Sequence, residues 1–465
     1  MEQEISKNKM GVQPIKKLLL SMGLPMVLSM ALQALYNIVD SYFVSCMQDT
    51  AAIPHMGDAA VNALTLAFPV QMLMVAIGVG TGVGINALLS RSLGEGNRKK
   101  ASQISGNAIF LGICTYLVFL LFGLFAVSVY LKTQTSDAIV LEMGSTYLSI
   151  CCIYSFGITL YMIYEKLLQA TGRTMLSTIA QIAGALVNIV LDPILIFGWC
   201  GMPQLDIAGA AIATVIGQCV SFLLDAYFHY TKNHELDHSL SYLKPIRNII
   251  VEIYQIGIPA IIMQALMSFM TYGVNIIFNA VGAAAVTAYG IYYKIQQFVF
   301  FAAFGMNNAI IPITAFNYGM RDKKRIEEAI HYGMLYTLII MAIGAVFLQL
   351  FAVQLCSLFA LSSNIQSLCI TAIRIITLGY LFVGANIAYQ GIFQALGYGM
   401  HSLLISLLRQ LIIVLPLAWL LTKTASAQSL IWTAFPIAEA IACLIAVFCM
   451  KHIRKNCLNT WKGDA

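Results

Sequence analysis

The sequence predicts an all-α integral membrane protein: twelve transmembrane helices in two parallel six-helix repeats, an N-lobe and a C-lobe, around a central cavity. Three observations carry this reading. Of the 465 residues, 60% are apolar and only 10% charged, with mean hydropathy +0.82; soluble domains run near half apolar and a quarter charged. The apolar residues fall in runs of roughly 20 or more, the length that crosses a hydrocarbon core. The second half of the chain also repeats the first.

Residues 1–17 are charged and precede an apolar run too long for a signal-peptide core, so they read as a cytoplasmic N-terminus before a retained first span. Short polar or Gly/Pro breaks then delimit spans 1 to 6 at 18–45, 59–89, 103–130, 138–163, 174–199 and 207–230, which make up the N-lobe (18–230). The longer polar stretch 231–248 is the inter-lobe linker. Spans 7 to 12 follow at 249–279, 284–316, 327–353, 365–394, 401–421 and 430–450, forming the C-lobe (249–450) with a tail at 451–465.

Basic residues sort by side. Lys7, Lys9, Lys16 and Lys17, then Arg91, Arg98, Lys99 and Lys100, then Lys166 and Arg173 lie on one side, with Lys232, Lys244, Arg247, the Arg321 to Arg325 cluster and the basic tail. The other side holds only Lys132 and Lys423. The positive-inside rule therefore expects both termini and the linker in the cytoplasm, in a cell-membrane protein. The net charge of +6 is thus a topology signal, and no nucleic-acid partner is expected.

The repeat is visible residue by residue. Gly23, Leu24 and Pro25 match Gly257, Ile258 and Pro259, and GDAAVNA (57–63) matches GAAAVTA (282–288). The basic loops GEGNRKKA (94–101) and GMRDKKRI (319–326) match, as do YEKLLQATG (164–172) and YQGIFQALG (389–397). With six spans per half, equivalent helices keep one orientation, as in transporters built from parallel repeats.

Polar residues inside the spans are the candidates for function, because a mid-span carboxylate costs on the order of 2.5 to 3.5 kcal/mol to insert. Span 1 carries Met26, Met30, Gln33, Asn37 and Asp40 on one helical face, and span 5 carries Gln181, Asn188 and Asp192 in the same register. Span 6 adds Thr214, Gln218 and Ser221. Asp40, Asp192 and Thr214 fall at one depth, roughly 8 to 10 Å below one face at 1.5 Å per residue, and so read as a cation or proton site. The second lobe has Val274 and Leu417 where the acids would recur; span 7 offers only the neutral stripe Gln264, Ser268, Thr271 and Asn275. Ion coupling is therefore expected in the first lobe, with Gln33, Asn37 and the span 7 stripe lining a substrate cavity. Glu439 and Lys294 are the second lobe's charged candidates, and a structural ion pair or a headgroup contact explains them equally well.

Other patterns point elsewhere. Gly78, Gly80, Gly82 and Gly84 lie within a span and read as helix packing, not as a phosphate loop. His229, His234 and His238 are expected in a solvated linker, and the eleven cysteines read as small buried hydrophobes. No Ser/His/Asp or HExxH pattern occurs, so an enzyme is not expected.

Taken together, YNIVDSYFVS (36–45), GDAAVNALTLAFP (57–69), SRSLGEGNRKKA (90–101), LQATGRT (168–174), NIVLDP (188–193), GAAIAT (209–214) and FNYGMRDKKR (316–325) resemble the multidrug and toxic compound extrusion (MATE) family over essentially the whole chain. The resemblance implies a monomeric antiporter, embedded in lipid, that exports small organic cations or drugs in exchange for H+ or Na+, with no other cofactor. It also implies that Asp40, Asn188, Asp192 and Thr214 are the ion site. The helix 7 glutamate and helix 10 aspartate of the NorM-like branch are missing, so the chain looks like the DinF-like and MepA-like side. A flippase for a lipid-linked precursor, from the same superfamily, is the alternative; a basic cavity built from Lys294, Arg374 and Arg409 would favour it.

Overall fold

The computed structural model describes residues 8–47, 56–359 and 362–458, without the side chains of 36–38, 41, 457 and 458. Among the described residues there are helices and connecting turns but no strands. Eleven helices are long and apolar enough to cross a membrane, and a twelfth span is a bent pair.

The helices follow the predicted spans closely. The first six are Ile15–Ser45, Met56–Gly94, Arg98–Phe125, the pair Ala138–Ile153 and Phe156–Ala170, Thr174–Phe197 and Asp206–Lys232. The last six are Arg247–Asn279, Ala283–Gly319, Lys323–Ser357, Ser363–Ala395, Gly399–Leu421 and Ala427–Asn456. Span 4 was expected to be continuous, but it bends by 44° between Ile153 and Phe156. Just past the bend Gly157 approaches span 6, where a Cβ would stand 3.0 Å from Cys219 Sγ. The predicted glycine packing in span 2 is present: Gly82 faces the Lys166 side-chain stem of span 4, 2.7 Å from where a Cβ would sit.

Prolines lie inside several spans, among them the repeat-related Pro25 and Pro259. Each removes one i→i−4 hydrogen bond, a loss that membrane helices accommodate through neighbouring groups. Span 11 shows such an accommodation. Pro416 has no N–H for the carbonyl of Ile412, and the turn that ends there, Leu408–Ile412, is wound as a π-helix.

Packing divides the chain into two compact units. One comprises Leu28–Leu89 and Asn97–Ile253; the other is Tyr254 onward, with the start of span 1 up to Val27 and the end of span 2, Ser90–Gly96. Within the second unit a short helix, Lys9–Val12, is fixed by side chains from the end of span 8 and the start of span 9. Arg325 Nη2 donates to Met10 O at 2.8 Å and Gln13 O at 2.9 Å, and Asn317 Nδ2 donates to Met10 O at 3.2 Å.

The first unit holds its own linker down. Asn107 Oδ1 accepts from Ile246 N at 2.7 Å, Ser102 Oγ accepts from Asp237 N at 2.8 Å, and Arg98 Nη2 donates to His234 O at 2.9 Å. The expectation of solvated linker histidines is corrected here. His229 belongs to span 6 and is fully buried, its ring 4.8 Å from that of His238 and 5.3 Å from that of Tyr164. Burial and the neighbouring positive groups keep His238 below the ordinary histidine range, so it stays neutral near pH 7.

Candidate functional site

The site is built beside a close approach of spans 5 and 6. Gly184 faces Gly217 O and Ser221 Oγ, and a Cβ on Gly217 would fall 2.7 Å from Gly184 O and 3.0 Å from Asn188 Cβ. Without side chains at these two positions the helix backbones close up, as small residues permit in membranes. Asn188 is thereby brought to Thr214: its Nδ2 donates to Thr214 Oγ1 at 3.4 Å and to Asp192 Oδ1, one turn further along span 5, at 3.5 Å.

Span 1 supplies the second acid. The carboxyls of Asp40 and Asp192 are hydrogen-bonding neighbours, and Asp192 is fully buried. Asp40 Oδ1, Asn188 Oδ1 and Asp192 Oδ2 are buried oxygens without a hydrogen-bond partner. Such orphans are uncommon, since buried polar atoms ordinarily find partners. Here all three are acceptors gathered in one place, so the cluster lacks a donor or a cation. A proton bridging the two carboxyls, or a hard monovalent cation held by carboxyl, amide and hydroxyl oxygens, would satisfy it.

The predicted quartet of Asp40, Asn188, Asp192 and Thr214 is therefore contiguous. Its surroundings include groups that sequence reasoning did not reach. Gln71 of span 2 donates to Tyr147 OH of span 4 at 3.3 Å and approaches Cys151 Sγ at 3.8 Å, and Cys151 lies within electrostatic reach of Asp40. Gln33, predicted to face substrate, accepts instead from Gln181 Nε2 of span 5 at 3.3 Å. The side chain of Asn37 lies outside the described residues.

A further polar group in the same unit also escaped the register argument. Lys166, counted in the sequence as a loop charge, is buried: its Nζ donates to Gln169 Oε1 at 2.9 Å and lies 3.7 Å from Glu165 Oε2. Gln169 in turn donates to Glu165 Oε1 at 2.8 Å. Asp225 of span 6 lies within electrostatic reach of Glu165, and neither of its oxygens has a hydrogen-bond partner. The signal was present, an acid inside span 6, three turns past Thr214.

In the other unit, Glu439 was expected to be considered with Lys294. The structure pairs it with Arg409 instead, at 2.7 Å between Arg409 Nη2 and Glu439 Oε1 and 2.8 Å from Nε to the same oxygen. Asn386 Nδ2 donates to Glu439 Oε2 at 2.7 Å. Lys294 and Arg374 are exposed, whereas Arg409 is buried and neutralised, so these three do not form one basic cavity. Of the span 7 stripe, Thr271 sits beside Tyr289 and Tyr293; Gln264 and Asn275 are half-buried and Ser268 is exposed. Among the described residues no group of three or more His, Cys, Asp or Glu side chains is arranged to hold a metal.

The MatE family profile matches residues 25–194 and 259–420, one block in each half of the chain. The chain belongs to the MatE family. Over 442 residues this MatE protein is 26% identical to the multidrug export protein MepA of Staphylococcus saprophyticus, covering 95% of this chain and 94% of that protein. It is 27% identical over 447 residues to MepA of Staphylococcus aureus, with the same shares covered. A solved structure described as the outward-facing conformation of a multidrug resistance MATE family transporter of the MOP superfamily superposes with a TM-score of 0.88, covering 98% of each chain at 24% identity. The fold of this MatE protein is thus that of a multi-pass transporter, and not of an enzyme.

Proposed function

We propose that this MatE protein is a multidrug efflux antiporter of the bacterial cell membrane, exporting organic cations in exchange for H+ or Na+ bound at Asp40, Asn188, Asp192 and Thr214. The observation that carries the reading is the trio of partnerless buried oxygens on Asp40, Asn188 and Asp192. Two uncompensated acids at that depth would cost about 5 to 7 kcal/mol, which a bound proton or cation removes. Ion and drug can each shift a conformational equilibrium only through a differential affinity for the two states, and a site that must lose its cation to change its charge supplies that difference. On this reading the protein works as a monomer with both termini in the cytoplasm, following the distribution of Lys and Arg.

The flippase alternative needs a basic cavity to hold an anionic head group. It loses its main residue, because Arg409 is bound by Glu439.

Export of a fluorescent cation from everted membrane vesicles, under an imposed pH or sodium gradient, tests the proposal. Drug movement driven by one of these gradients supports it. Drug movement indifferent to both gradients contradicts it.

A further inference from the structure

Span 6 carries a polar stripe beyond the ion site. Thr214, Gln218, Ser221, Asp225 and His229 follow one another at steps of three and four residues, so they share one face of a helix that runs from the site to the linker. Asp225 lies three turns past Thr214, roughly 16 Å along the axis at 1.5 Å per residue. Both Asp225 and His229 are fully buried.

The bonding around Asp225 is one proton short. Neither of its oxygens has a hydrogen-bond partner. Its acidic neighbour, Glu165 of span 4, is already served by Lys166 and Gln169, so two acids share one lysine. Span 5 has no titratable side chain between Thr174 and Leu191 to make up the difference. One turn along span 6, Asn233 Nδ2 donates to His229 Nδ1 at 3.3 Å, which places the imidazole hydrogen on Nε2, and that atom is also without a partner. His229 is faced by Arg173, itself paired with Glu235, and by the rings of Tyr164 and His238. A cavity of about 30 Å³, room for a water or two, lies between His229, His238 and span 3, and the exposed linker residues Ser239 and Leu240 form its rim.

We infer that Asp225 is a second proton-binding site, through which protons pass between the ion site and the cytoplasm, with His229, His238 and water in the cavity as its mouth. Gln218 and Ser221 span the interval to Thr214. A metal ion at Asp225 would find one carboxyl and no further oxygen shell, whereas a proton needs only the carboxylate. Chains of acids and histidines are a recurrent proton route in membrane transporters. The transfer is proton exchange with water: a water takes the proton that the Asp225 carboxyl gives up and leaves as hydronium, and the carboxylate takes the next proton from the ion-site side. The inference rests on the efflux reading above and deepens it, since it makes the proton the coupling ion and gives it a route.

The test uses the full chain in proteoliposomes with trapped pyranine, which reports proton movement when ethidium is added. Asp225→Asn keeps the size of the side chain and removes the proton-carrying group, and Asp225→Glu keeps the carboxyl. The expected result is ethidium-driven proton movement about a hundredfold slower in Asp225→Asn, with ethidium affinity and the number of protons moved per ethidium unchanged, and with most of the rate restored by Asp225→Glu. A wild-type rate in Asp225→Asn, or an equal loss in Asp225→Glu, overturns the relay. If Asp225→Asn does not fold, His238→Gln in the linker takes its place, and a wild-type rate there overturns the relay. A wild type whose ethidium movement follows a sodium gradient alone also overturns the relay but leaves the efflux reading standing, whereas one that follows neither gradient overturns both.

Discussion

Asp40 of span 1 and Asp192 of span 5 place their carboxyls side by side, and each keeps one buried oxygen without a hydrogen-bond partner. Two carboxylates in contact repel strongly in a low-dielectric medium unless a proton or cation sits between them. The remaining members of the group, Asn188 and Thr214, are neutral, with Asn188 donating to both Asp192 and Thr214. The consequences of removing a charge and of removing a neutral ligand should therefore differ.

Thr214→Ala deletes one hydroxyl, which also accepts from Asn188 Nδ2. A single neutral hydrogen-bonding partner is worth on the order of 1 kcal/mol. Exchange should persist, with the ion concentration for half-maximal transport raised roughly fivefold. Titrating transport against pH and sodium in proteoliposomes measures that shift; complete loss of exchange in well-folded protein would give Thr214 a larger role.

Gly217→Val should act through geometry. Its Cβ would enter the space between Gly184 O and Asn188 Cβ, pushing span 5 away from span 6. Overpacking typically costs about 1 to 3 kcal/mol, and here it also breaks the Asn188 to Thr214 contact. The thermal midpoint of the purified protein should fall and ion coupling should weaken together. A variant with wild-type midpoint and coupling would show that the close approach is not needed.

The buried Arg409–Glu439 pair predicts a thermodynamic cycle. Arg409→Met or Glu439→Gln alone leaves the partner buried and uncompensated, at a cost on the order of 3 to 5 kcal/mol. The double variant removes both charges and should recover much of that loss. Thermal unfolding of all four proteins, followed by tryptophan fluorescence, reads the coupling; additive losses would mean that the two side chains act independently.

The grouping of Asp40, Asn188, Asp192 and Thr214 was legible in the sequence because helical register and depth are local properties. Steps of three and four residues put Asn188 and Asp192 on one face, and distance from the helix end set Asp40 level with them. Partner choice across helices is not local. The sequence set Glu439 beside Lys294 as the second lobe's charged candidates, whereas Arg409 reaches it from a helix whose rotation is reset by the π-turn ahead of Pro416. Lys166 was misread for a related reason: a lysine near a helix end resembles a loop charge until Gly82 of span 2 is seen to admit its side-chain stem. The bend in span 4 was hidden because the residues around Tyr154 are as apolar as those of a straight helix.

The most direct test of the account is drug-driven ion movement in proteoliposomes containing wild type, Asp40→Asn or Asp192→Asn, with drug binding followed in parallel. Each substitution keeps the size of the side chain and removes the charge that calls for a cation. The account predicts that wild type couples drug movement to proton or sodium movement, whereas both variants bind drug but move no ion in response to it. Wild-type ion coupling in Asp192→Asn would contradict it and move the ion site away from these residues.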